Sequence, residues 1–456
     1  MGSTLRQRIL RGLGASAYGQ VVNVIIQLVG VPAYLAIWGV ERYGDWLVLA
    51  SWAAFLSMSD VGFASAAGNE MTMRVGRGDQ DGALSVYHSM WTFLSLASLT
   101  VFGIVAAALW STGAASAISL KTATPNDAAW ILLVLAAHVL LSLQLGVLDA
   151  GFRCDGNFAL GVSISSTMRL MEFAGQVATA YFTGSMLAVA IAGVAVRASA
   201  GLVSGTILRI KSPWLQVGWR EASWQTLKPL VRPALSFLGM PLGAALSTQG
   251  MIQVASKLLG PGAVVALSAH RTLTYAATQL MNMVNHAVWP ELSRAHGAGD
   301  VAQTRRLHQQ ACATSIWAAL ACATGVMATG WWVLPTWTHG KVHQEPWLMA
   351  GFLTAVVLRS LWYTSSVVPM ATNRHWGMAV LYSAGGAGSL VLAWLLIPRF
   401  GIAAAAFAVA ASDLVMGLYV LRLALEMTAD TLGDFVRAMF QPPFARLLRA
   451  RWAAMR

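Results

Sequence analysis

Paired acids and spaced histidines are the first residues in this chain whose types and spacing suggest chemistry. Asp79 and Asp81, in DQD, have the one-residue separation with which glycosyltransferases hold a metal and a nucleotide sugar, but they sit in a short turn with no nucleotide-binding domain around it. His339 and His343 stand four apart, followed by Glu345, a spacing that puts metal ligands on one helix face. The intervening Gly340 favours a solvated loop instead. Gly12 and Gly14, in GLGAS, follow no strand and read as small-residue helix packing rather than a phosphate cradle. The sequence holds no HExxH, GxSxG or Walker loop. It offers no catalytic constellation, so the expectation is a non-enzyme with no metal and no cofactor.

The stronger chemical signal is charge inside long apolar stretches. Arg169, Arg197, Lys257, Arg271 and Arg359 lie there, as do Asp60, Glu172 and Asp413. Each ionisable group at a bilayer centre costs about 2.5 to 3.5 kcal/mol on insertion scales, so each must face a partner or water. Arg169 and Glu172, three apart, can neutralise each other on one helix. Lys257 is near enough to a span end to snorkel. Arg197, Arg271 and Arg359 have no oppositely charged neighbour in sequence, and they point to a water-filled, basic cavity that attracts anions, phosphates above all. Asn69 and Gln253 are polar positions suited to hydrogen-bond a sugar or a neighbouring helix. Asp60, Glu172 and Asp413 are candidates for charge pairing or for carrying H+ or Na+.

The elements that must position these residues follow from composition. The chain is 57% hydrophobic and 11% charged, with a mean hydropathy of +0.61; soluble domains carry roughly 25% charged residues. It reads as a membrane protein. Apolar segments of spanning length fall at about 13–38, 46–69, 86–110, 128–150, 158–182, 186–208, 234–258, 263–289, 311–333, 347–371, 377–397 and 402–424, twelve in all. With the amino terminus inside, the outer links hold only Arg42, Lys121, Lys341 and Arg399 of the 30 Lys and Arg, a bias that places both termini in the cytoplasm. The net charge of +12 is thus spread over short loops, which argues against nucleic acid. Cys154, Cys312 and Cys322 show no redox or metal spacing and read as packing residues.

NEMTMRVGRGD at 69–79 and PELSRAHGAGD at 290–300 align without a gap, at a constant offset of 221 residues. Each begins at the inner end of an even-numbered span, the second and the eighth. An even number of spans per half returns the chain to its starting side, so the halves are expected to be parallel repeats about an axis along the membrane normal. The expected organisation is a six-helix bundle over 1–208, an interfacial basic linker rich in Trp (Trp214, Trp219, Trp224) over 209–233, a second bundle over 234–424 and a basic cytoplasmic tail over 425–456.

YGDWLVLASWAAFLSMSDVGFASAAGNEM at 43–71, and LLGPGAVVALSAHRTLTYAATQLMNMVNHAVWPELSRAHGAGD at 258–300, resemble the second and the seventh-to-eighth span signatures of the polysaccharide (O-antigen type) flippases. These belong to the multidrug/oligosaccharidyl-lipid/polysaccharide exporter superfamily. The resemblance implies an all-α integral membrane fold, two six-helix bundles with a V-shaped central cavity. It implies transfer of a polyprenyl-diphosphate-linked oligosaccharide from the cytoplasmic to the outer leaflet of a bacterial inner membrane by alternating access. Membrane lipids and polysaccharide polymerase machinery would be partners. Arg271, in AHRTLTYA, falls on the family's Arg before the core of the eighth span, which assigns it a phosphate or cavity role.

Two rivals stand beside this reading. A multidrug and toxin extruder of the same superfamily is expected to place acids at depth without so many bases. A membrane glycosyltransferase or ligase acting on the same lipid is expected to need acids on a substantial outer loop, and no outer link here is long enough to hold a folded domain.

Overall fold

Length alone makes the first helix two. The computed structural model describes residues 2–57, 63–76, 78–111, 113–297, 300–371 and 375–440. Its first helix, α1 (Gly2–Phe55), has 54 residues, about twice what a bilayer requires. Gly39 breaks it, with φ 74° and ψ 179° inside an otherwise helical run, a conformation that favours glycine. That break is the expected first outer link. Around it Tyr34 stacks on Trp38 and Tyr43, and Trp46 closes against both Trp38 and Tyr34.

Helices α2 (Phe63–Gly76), α3 (Gln80–Ser111), α4 (Pro125–Cys154), α5 (Phe158–Thr183) and α6 (Met186–Lys211) follow. Next come the short α7 (Trp224–Leu227), then α8 (Val231–Ala245) and α9 (Met251–Leu259), joined by a π turn at Leu246–Gly250. The rest are α10 (Pro261–Gly297), α11 (Val301–Trp337), α12 (Pro346–Ser365), α13 (Val367–Ala371), α14 (Trp376–Phe400), α15 (Ala403–Met427) and α16 (Leu432–Met439). All twelve apolar stretches of the sequence fall on helix, apart from 58–62, which lie outside the described residues. No strand occurs among the described residues. Among the described residues eight helices are long and apolar enough to cross a membrane, which makes this a multi-pass membrane protein. The remaining stretches fall short for visible reasons: α2 is short, α5 carries Ser165, Ser166, Thr167, Arg169 and Glu172, α8 to α9 is interrupted by Pro241 and the π turn, and α10 carries His270, Arg271, Gln279, Asn282 and Asn285.

Two compact units emerge. One is Met1–Pro241 with Gly260–Val264; the other is Leu242–Leu259 with Val265–Arg456. In the first, α4 packs on α2, α3 and α6, and α5 on α1 and α6. Phe63, Met71, Tyr87, Met90, Leu94, Phe152, Leu208 and Leu215 form one buried core there. The linker belongs to this core. Leu215, Leu227 and Leu230 are buried, His88 donates from Nε2 to the Gln216 carbonyl and accepts at Nδ1 from the Glu221 amide, and Asp155 accepts from Ser212 and Trp214. Trp219 and Trp224 remain exposed. In the second unit α12 packs on α15 and α11, and α14 on α15. The small-residue run of α15 lets backbones approach closely: a Cβ on Gly351 would stand 2.7 Å from the Ala406 Cβ.

The repeated stretch is a corner between helices, built twice with the same hydrogen bonds. The Asp79 amide donates to the Arg74 carbonyl and the Asp300 amide to the Ala295 carbonyl. The Asp79 carboxylate then accepts from the Gly82 amide at 2.8 Å and the Asp300 carboxylate from the Gln303 amide at 2.9 Å. Both offsets are again 221. Asp79 therefore caps the start of α3, which accounts for it without a metal or nucleotide.

Candidate functional site

Interior charge needs a donor or an acceptor from a neighbouring helix, and each unit supplies one cluster of this kind. In the first unit the centre is Glu172, on α5, whose side chain is 9% exposed. Its Oε1 lies 2.6 Å from His138 Nε2 on α4, and its Oε2 lies 2.7 Å from an Arg197 guanidinium nitrogen on α6. The third side of this triangle is 3.4 Å, between Arg197 Nε and His138 Nε2. Gly193 makes room for it: a Cβ there would stand 2.5 Å from Gln176 Nε2 and 3.6 Å from His138 Cδ2. Arg169, one turn before Glu172, turns toward α1 and donates to the Asn23 amide oxygen at 3.4 Å. Asp149, further along α4, lies within electrostatic reach of Arg153, Arg169 and Arg197.

The second unit also pairs a guanidinium with a carboxylate between helices, here between the fourth and sixth spans of its half rather than the fifth and sixth. Arg359, on α12, makes a two-point pair with Asp413 on α15, Nε to Oδ1 at 3.2 Å and Nη2 to Oδ2 at 3.0 Å. Trp362 Nε1 adds a third hydrogen bond to Asp413 Oδ1 at 2.9 Å, and the Asp413 side chain is only 2% exposed. A bidentate Arg–carboxylate pair with the acceptor otherwise satisfied is the arrangement that tolerates burial. Beside it Tyr363 donates to Asn282 Oδ1 at 2.7 Å, and Asn285 donates to the Tyr363 carbonyl. Arg271, on α10, donates to the Thr248 carbonyl inside the π turn, a bond made available where the regular helical ladder is disturbed.

Two expectations are corrected by this geometry. Arg169 and Glu172 do not pair: Glu172 takes His138 and Arg197, and Arg169 takes Asn23. Arg197 and Arg359 are not without oppositely charged neighbours; each has a carboxylate on another helix of its own unit. Gln253 is half-buried on α9 and Lys257, one turn on, is exposed. Asn69 lies on α2 with its side chain outside the described residues, and Asp60 lies outside them entirely. His138 and Asp149 escaped the sequence reading. The signal for His138 was present, a single titratable side chain in the apolar run ILLVLAAHVLLSL.

The remaining sequence candidates have structural roles. His339 and Gly340 both adopt positive φ in the turn after α11, so His339 and His343 do not share a helix face. Among the described residues no group of three or more His, Cys, Asp and Glu is placed to hold a metal ion. Asp45, fully buried, accepts from the amides of Lys121, Thr122 and Ala123 and from the Thr122 hydroxyl, fastening the loop ahead of α4. His270 does the corresponding work in the second unit, accepting at Nε2 from the Glu345 amide just ahead of α12.

No family model matches the sequence, and no curated protein matches it. Solved structures do. An inward-facing multidrug resistance MATE family transporter of the MOP superfamily superposes with a TM-score of 0.72 at 14% identity, covering 89% of this chain and 98% of that one. The lipid II flippase MurJ in an inward closed conformation superposes with a TM-score of 0.74 at 12% identity, covering 95% and 90%. A MOP superfamily transporter from Pyrococcus furiosus, described as having a binding pocket of reverse polarity that suggests a different function, gives 0.55 at 15% identity, covering 92% and 94%. At such identities the likeness establishes architecture, and the architecture of this chain is the two-lobed helical fold of the MOP superfamily transporters.

Proposed function

We propose that this protein is a flippase for a polyprenyl-diphosphate-linked oligosaccharide, carrying it from the cytoplasmic to the outer leaflet of a bacterial inner membrane by alternating access. The observation that carries this reading is the excess of guanidiniums along the first unit. Arg197 pairs with Glu172, while Arg153 and Arg169, both exposed, lie with Arg197 in electrostatic reach of Asp149, and Arg169 is held by a neutral amide oxygen. A guanidinium with a neutral partner keeps its charge available, and guanidiniums are suited to two-point recognition of phosphate oxygens. The lipid tail would remain in the bilayer while the hydrated sugar and diphosphate cross beside these bases, which offset the cost of moving the phosphates out of water. Alternating access is the general behaviour of transporters built from repeated bundles.

The second reading is a cation-coupled multidrug extruder, favoured by the MATE likeness and by the presence of Glu172, Asp149 and Asp413 at depth. Proteoliposomes separate the two. The native protein should move a fluorescent prenyl-diphosphate disaccharide between leaflets, and Arg169→Ala should slow it about tenfold or more, the loss of one charge-assisted contact of about 1.5 to 3 kcal/mol. Proton-driven exchange of an organic cation, with Arg169 and Arg271 dispensable and no lipid movement, would instead establish the extruder.

A further inference from the structure

His138 Nε2 stands between two groups that make opposite demands on it. Glu172 Oε1, at 2.6 Å, is an acceptor and requires a proton on Nε2; Arg197 Nε, at 3.4 Å, is a donor and requires Nε2 bare. The shorter contact with a charged acceptor prevails, so neutral His138 is the Nε2–H tautomer and Nδ1 is the basic nitrogen. Transfer of one proton from hydronium to Nδ1 forms the Nδ1–H bond, breaks one O–H bond of the hydronium and leaves water, and the ring becomes an imidazolium. Glu172 then holds a full cation at each oxygen, and Arg197 faces a like charge across the 3.4 Å edge of the triangle. Its grip on Glu172 is weakened at the moment its own charge is no longer needed there.

We infer that His138 is a proton-operated switch for anion binding: protonation loosens Arg197 from Glu172 and makes its guanidinium available to a diphosphate. This rests on the flippase reading and names how that site is regulated. The charged groups that face His138 are Glu172 on α5 and Arg197 on α6, with Tyr34 on α1 in electrostatic reach of Glu172 and Arg169 one turn before it; Asp149 and Arg153 stand about three and four turns further along α4. Protonation of His138 turns the triangle from neutral to net positive. The triangle is also not sealed by protein, with side chains 17% exposed at His138 and 20% at Arg197. Asp413 is a poorer switch, because its partner Arg359 is bidentate, Trp362 supplies a third bond and no imidazole is bonded to the pair.

The test uses the full chain in nanodiscs with geranyl diphosphate as probe, its dissociation constant measured between pH 5.5 and 8.5. Native affinity should strengthen toward low pH about tenfold more than that of His138→Gln, whose remaining slope reports the probe's own ionisation. Glu172→Gln, nearly isosteric, should bind tightly at both ends of the range, since Arg197 then has no anionic partner to leave. Equal slopes for native protein and His138→Gln would overturn the switch. A second arm needs no ligand: in histidine-labelled protein, the resonance lost in His138→Gln should respond to pH in the native chain and move in Glu172→Gln. Should the native protein bind no diphosphate, the flippase reading fails while this resonance still decides on the proton site, and a resonance that does not titrate overturns the switch by itself.

Discussion

Asp413 concentrates more interaction on one side chain than any other interior acid of the second unit that the structure describes. It accepts from Arg359 twice and from Trp362 once, with almost no exposure. Removing one member of a buried ion pair leaves the other charge uncompensated, at a cost of about 3 to 5 kcal/mol. Asp413→Ala is therefore expected to lower the thermal unfolding midpoint sharply in detergent, whereas Asp413→Asn, which keeps an acceptor for Trp362, should lose less. Equal losses would mean that the Trp362 bond contributes nothing. The partner of Glu172 was the part of the site least legible in the sequence. Arg169, three residues away, was the local choice, but an exposed pair at that spacing contributes only about 0.2 to 0.5 kcal/mol. His138 and Arg197, distant in sequence but brought alongside by α4 and α6, satisfy both carboxylate oxygens at once. Tertiary proximity of that kind leaves no periodic trace.

At the scale of elements, the helix–turn–helix corners invite a paired experiment. Asp79 and Asp300 each accept from the amide three residues on, so Asp79→Ala and Asp300→Ala should each cost about 1 kcal/mol. Faster amide hydrogen exchange should be confined to the first turn of α3 in one variant and of α11 in the other. Asp45 should matter more, because three amides and a hydroxyl converge on it. Asp45→Ala strands these donors and should cost about 3 kcal/mol or more, with exchange rising through residues 119–125. The places of the helices were legible because apolar runs of spanning length are hard to build for another purpose. The break at Gly39 and the outer turn it forms could be placed from the same runs. The π turn at Leu246–Gly250 could not, because Arg271 reaches it from a different helix.

At the scale of the whole molecule, the basic links make a prediction about sidedness. Arg220 lies in the exposed part of the linker and Lys341 in the turn after α11. In intact cells a membrane-impermeant maleimide should label Lys341→Cys and leave Arg220→Cys unlabelled until the membrane is opened; the reverse result would invert the orientation. Of the native thiols Cys154 and Cys312 are buried and Cys322 is half-buried, so the labelling is done in a Cys322→Ser background. The repeat at an offset of 221 was legible in the sequence, while the internal charge pairs were not, because the halves do not place acid and base alike.

That last contrast bears on descent. If one ancestral gene was copied end to end, the corner at Asp79 and Asp300 kept its hydrogen bonds in both copies, while the interior was rewritten. The sixth span of the first copy now carries the guanidinium, Arg197, and that of the second the carboxylate, Asp413. Backbone geometry at a corner admits few substitutes; an interior charge pair can be rebuilt between a different pair of helices. A lineage built this way is free to change its cargo without relearning how to fold.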